Sequence, residues 1–164
     1  MNLFVFCLRA LPLLLILIGV DSSQALEVSK DTRQSSYYLM TPENRAMQDD
    51  SNLNPALFWV MDGQSLWKEK IGKKNIACAS CHGESGQKMT GVATHFPRAQ
   101  KGKLQTLEGQ INQCRVGAQG VSPLAYESKD LLALTAFVAF QSKGMPIAIK
   151  ETSANASFLK KGRQ

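Results

Sequence analysis

Four side chains in "CASCHG" and "INQCRVG" can ligate metals or form covalent bonds: Cys78, Cys81, His82 and Cys114. Two thiols two residues apart, followed at once by an imidazole, make the pattern Cys78-Ala79-Ser80-Cys81-His82. This is the attachment pattern of haem c, in which both thiols form thioethers to the porphyrin edge and the histidine takes one axial position on iron. Two other chemistries use related spacings. A thioredoxin-like redox pair needs a preceding strand in a βαβ context, and no such pattern precedes Cys78. Half a zinc site needs two more ligands, for which His95 and Cys114 are the candidates.

A haem iron takes a second axial ligand, and Met89, His95, Cys114 and Met145 are the candidates. Met89 follows His82 too closely to reach the opposite face. His95 sits in a loop of a basic chain, where a solvated histidine is the ordinary expectation. Met145, in "KGMP", comes after the closing helix rather than before it, and a gap-filling role under the helix end suits it. Cys114 remains. Its soft sulfur suits iron, and Arg115 beside it can offset a thiolate's charge. The other readings of Cys114 are a buried, inert thiol and a carrier of transferred sulfur.

These residues need helices to hold them. Asn54-Pro55 reads as a helix start, with Phe58, Met61 and Leu66, flanked by Leu57, Val60 and Trp67, covering the inner face as far as Gly72. Gly63 weakens this helix. A second helix starts at Thr106, whose hydroxyl caps it and whose Glu108 favours the positive end of the dipole. Leu107, Ile111 and Cys114 then share one face. The third runs through "SKDLLALTAFVAFQSKG", capped by Ser128, with Asp130 in its first turn and Gly144 past its end; it has little polar face and is expected to be buried on most sides. No alternating strand pattern competes. Residues 83–105, rich in glycine, read as a long loop of the kind that covers a large flat group.

The remainder of the chain bounds the reading. Residues 1–25 have the features of an export signal: Arg9, the apolar run "LPLLLILIGV" and a small-residue cleavage site at Ser23-Gln24-Ala25. The run is short and marked by proline, so stable membrane insertion is not expected. Cleavage there removes Cys7 and leaves three cysteines, an odd number for an oxidising compartment. The net charge of +6 survives cleavage, because Arg9 and Asp21 leave together. It suits acidic or anionic partners, although Lys70, Lys73, Lys74, Lys101 and Lys103 equally make a solvated face; without interleaved aromatics, no nucleic-acid partner is expected. Residues 26–52 form a polar N-terminal arm with one short helix, 53–150 the haem domain, and 151–164 a linker or the start of a further domain.

The stretches "GQSLWKEKIGKKNIACASCHG", "GVATHFPRA", "TLEGQINQCR" and "LLALTAFVAFQSKGMP" together resemble, in order and spacing, the first haem domain of the SoxA subunit of the periplasmic thiosulfate-oxidising SoxAX cytochrome, over about residues 45–150. The resemblance implies a mostly α, cytochrome c-like haem domain with long irregular loops. It implies one covalent haem c on Cys78 and Cys81, with His82 and Cys114 as axial ligands. A SoxX-type cytochrome subunit and the sulfur-carrier protein of the Sox system follow as partners, and the periplasm as location. In that family L-cysteine S-thiosulfotransferase chemistry uses a cysteine of a second domain, which has no counterpart here, so no catalytic residue is assigned. The closing "SFLKKGRQ" looks like the opening of another helix leading to a haem motif, and a fragment of a diheme subunit is expected. The competing expectation is a stand-alone periplasmic electron carrier with Met145 or His95 as distal ligand.

Overall fold

The computed structural model describes residues 36–162; the export signal expected at 1–25 and the first ten residues of the arm lie outside the described residues. The chain divides after Met40 into two units. Of the first, the described residues form one 3-10 turn, Ser36–Leu39, in which the Tyr37 and Tyr38 rings meet edge to face at 5.6 Å.

The second unit opens with helix α1 (Pro42–Asp49), where Thr41 accepts the Asn44 N–H and Pro42 occupies the first helical position. This is the short helix expected in the polar arm. Helix α2 (Ala56–Lys68) starts where Asn54 Oδ1 accepts the Ala56 N–H at 2.9 Å. It ends earlier than the expected Gly72. The chain instead turns back on itself, and Ile71 and Ile76 exchange backbone hydrogen bonds at 3.3 and 3.4 Å. Gly72 makes the turn possible with a φ of +70°, and a side chain there would strike the Gln119 carbonyl oxygen.

Helix α3 (Cys78–His82) is a little over one turn, its start braced by the Ala77 N–H donating to Ser80 Oγ at 3.1 Å. Beyond it come two 3-10 turns, Gln87–Met89 and Val92–His95. Then, against expectation, strands β1 (Arg98–Gln100) and β2 (Lys103–Gln105) pair antiparallel, with Ala99 opposite Leu104. The connecting Lys101 and Gly102 have φ of 49° and 72°, the two left-handed residues that a tight hairpin turn requires; lysine in that conformation is what concealed the turn.

Helix α4 (Leu107–Cys114) begins as expected, with Thr106 accepting the Gly109 N–H at 3.1 Å. It continues into one π-helical turn, Arg115–Gln119. Helix α5 (Lys129–Phe140) buries Leu131, Ala133, Leu134, Phe137 and Val138, while Leu132 and Phe140 reach solvent. Ser128 holds the N-cap position through its backbone alone, its hydroxyl forming no cap bond. Helix α6 (Ala156–Gly162) closes the described chain.

The core lies where α2 crosses α5, and Gly63 determines how closely they approach. A Cβ at this position would collide with the Ala133 carbonyl and come within 2.8 Å of Phe137 Cβ. The face of α2 turned inward is therefore Val60, Gly63 and Trp67. Phe58 and Met61, expected inside, are 69% and 61% exposed, because the face without bulk decides which side can meet the partner backbone. Lys129 and Asp62 add an exposed ion pair at 3.2 Å across the same crossing. Substitution Gly63→Val is expected to destabilise the fold by about 2 kcal/mol through overpacking. Gly117→Ala, where an added Cβ meets nothing within 4 Å, is expected to stay within about 0.5 kcal/mol of the parent. Urea unfolding midpoints of the two variants test this.

Candidate functional site

Trp67 connects the helix crossing to the cysteine motif. It is 3% exposed, its ring lies 5.3 Å from that of Phe137 on α5 and 5.7 Å from that of His82, and its Nε1 donates to the Gly83 carbonyl at 2.8 Å. The chain just after His82 is thus anchored to the core by a directed bond as well as by ring packing.

Above this anchor lies a cavity of about 300 Å³, at the lower end of the range for small-molecule sites. Its walls are largely aliphatic: Ile76, Leu107, Ile111, Leu134 and Val138, drawn from the turn before α3 and from α4 and α5. Cys78, Cys81, His82 and Cys114 all open onto it. Cys114 arrives there as expected, sharing the inner face of α4 with Leu107 and Ile111. Met89 also reaches the wall. His95 is exposed and Met145 packs near Gly91, and neither lines the cavity. Among the described residues no three His, Cys, Asp or Glu side chains gather as a small-ion cage needs, so the zinc arrangement with His95 and Cys114 is not formed.

The three thiols of the described chain are unbridged, Cys81 and Cys114 exposed and Cys78 half-buried. Burial pushes the Cys78 thiol above its ordinary pKa, opposed by the positive charge of Arg115 and reinforced by Cys114. Polar groups on the wall are few. Gln119, 4% exposed, donates from Nε2 to the Ile76 carbonyl at 2.9 Å, with Cys78 Sγ 4.0 Å from the same nitrogen, while its Oε1 has no partner. Arg115 turns toward the cavity with a buried, unpartnered Nε. Gln110 donates from Nε2 to Cys114 Sγ at 3.6 Å. Neither glutamine carried a signal in the sequence beyond lying on the Cys114 helix or just after it.

The residues fit haem c. A large apolar plate would satisfy walls that no small ion could, and two thiols, an imidazole and a third sulfur are the donors such a group uses. Cys78, Cys81, His82 and Cys114 are the side chains that would hold it.

Comparison with known proteins agrees with this geometry. Residues 62–147 match the family described as SoxA/TsdA, cytochrome c domain. The chain is 29% identical over 136 residues to the L-cysteine S-thiosulfotransferase subunit SoxA of Rhodovulum sulfidophilum, covering 82% of this chain and 47% of that protein. It is 30% identical over 119 residues to the same subunit of Pseudaminobacter salicylatoxidans, covering 71% and 42%. The crystal structure of SoxXA from P. pantotrophus superposes with a TM-score of 0.72 at 26% identity, over 79% of this chain and 49% of that one. The chain spans about half the length of the curated relatives it matches. Among the described residues no helix is long and apolar enough to cross a membrane. With a mostly α fold, a CxxCH motif seated on an apolar cavity and a family match over the domain that carries both, the chain belongs to the SoxA/TsdA cytochrome c domain family.

Proposed function

We propose that the cavity takes one haem c, joined covalently to Cys78 and Cys81, with His82 and Cys114 as the two protein ligands to iron. The domain, residues 53–150, then serves as an electron-transferring and structural haem module of a SoxAX-type thiosulfate-oxidising cytochrome. The observation that carries this reading is the convergence of all four side chains on one apolar cavity. Bound there, the haem would supply one-electron redox chemistry. Trp67 holds the His82 ring, Leu107 and Ile111 place Cys114, and Leu134 and Val138 exclude water. A thiolate ligand's negative charge favours the oxidised metal, which sets a low potential.

A sulfur committed to a metal is not a free nucleophile, so Cys114 is not assigned sulfur transfer. The thiosulfotransferase activity named for the relatives belongs to this chain only as the haem-bearing part of such an assembly. The likeness to SoxXA supports a SoxX-type partner, and the relatives' activity supports a sulfur-carrier protein as the other. The apolar run and the Ser23-Gln24-Ala25 site support export to the periplasm, with cleavage after Ala25.

Replacing Cys78 and Cys81 by alanine is expected to make the haem extractable by acidified organic solvent, whereas the parent retains it through denaturation. Cys114→Ala is expected to change the ferric low-spin spectrum and raise the midpoint potential; an unchanged spectrum overturns the assignment of the ligand. Purified protein incubated with thiosulfate and a cysteine-bearing peptide is expected to form no S-thiosulfonate, as mass spectrometry of the peptide would read.

A further inference from the structure

We propose that Gln110 is a positioning residue that tunes the Cys114 sulfur by hydrogen bonding to it, and that Arg98 fixes the amide in the orientation this requires. The inference rests on the reading of Cys114 as an iron ligand.

Gln110 and Cys114 lie one turn apart on α4, with Gln110 Nε2 3.6 Å from Cys114 Sγ, a fitting length for the large sulfur atom. On the other side, Arg98 Nη2 donates to Gln110 Oε1 at 2.8 Å. A guanidinium has only donors, so it claims the amide oxygen and leaves the amide NH2 for the sulfur. The amide orientation therefore follows from the charge beside it. Arg98 is itself steadied, its guanidinium 4.8 Å over the centroid of the Phe96 ring. The hairpin thereby acquires a role, since β1 delivers Arg98 to the flank of α4, twelve residues away in sequence from the amide it orients.

An N–H directed at a ligating sulfur draws electron density from it, weakens its donation to the metal and so favours the reduced state. Gln110 also lines the cavity, on the same helix as Cys114. The relay Arg98, Gln110, Cys114 opposes, in part, the low potential that a bare thiolate would impose.

The test uses the full chain loaded with haem and reads the midpoint potential and the ferric electron paramagnetic resonance spectrum. Gln110→Leu, which keeps bulk but removes the donor, is expected to raise the oxidised-to-reduced ratio at fixed potential about tenfold, a fall of about 59 mV for one electron. Arg98→Ala is expected to shift the potential in the same direction by less. The double variant is expected to fall no further than Gln110→Leu alone, because the two residues act through one bond. If Gln110→Leu retains the parent potential and spectrum while Cys114→Ala changes both, the positioning role is wrong and the ligand assignment stands. If Cys114→Ala changes neither, both are wrong. Should Gln110→Leu fail to take up haem, Arg98→Ala, altered only at an exposed hairpin residue, decides the matter by the same readout: an unchanged potential overturns the proposal.

Discussion

The packing of Trp67 is the constraint from which the rest of this domain follows. Its ring meets α5 through Phe137 and the cysteine motif through His82, and its N–H reaches the Gly83 carbonyl. A buried indole left without a partner would be costly, so the bond to Gly83 and the burial of the ring support each other. Through that one side chain, the angle at which α2 meets α5 is transmitted to the position of the imidazole. On this buried floor a short helix of five residues, α3, carries two thiols and a histidine that all line the same cavity.

Much of this was legible in the residue order. The CxxCH spacing, the Thr106 cap and the Leu107, Ile111 and Cys114 face all depend on local rules, and the structure obeys them. What escaped was decided by contact between distant segments. Phe58 and Met61 are more hydrophobic than Gly63, yet glycine faces inward because only a missing side chain lets the α5 backbone approach. The β1–β2 hairpin was hidden by Lys101, a residue that seldom adopts the conformation it takes there. Gln119 carried no signal in the sequence and is almost wholly buried, donating to a carbonyl forty-three residues earlier in the chain.

The cavity combines a sparse polar wall with donors of high chemical consequence. Hydrophobic residues supply shape and exclude water, while Gln119, Gln110 and Arg115 contribute the few directed or charged groups. Gln119, the buried one of them, weighs more than it would at the surface, since little solvent competes for it. Two of the three retain a buried atom without a partner, Gln119 Oε1 and Arg115 Nε.

The single π-helical turn after α4 has a geometric effect that its brevity conceals. Along an ordinary α-helix, residues five apart point about 140° away from each other, so a side chain at 119 would be aimed well aside from one at 114. Wider winding, with bonds from each residue to the fifth beyond, brings such a pair much nearer in direction. Cys114 and Gln119 stand five apart and both look into the same hollow. The local swelling of the coil thus works as a phase corrector: one surplus residue of circumference lets a single continuous rod present a sulfur and, a turn later, an amide to the same occupant.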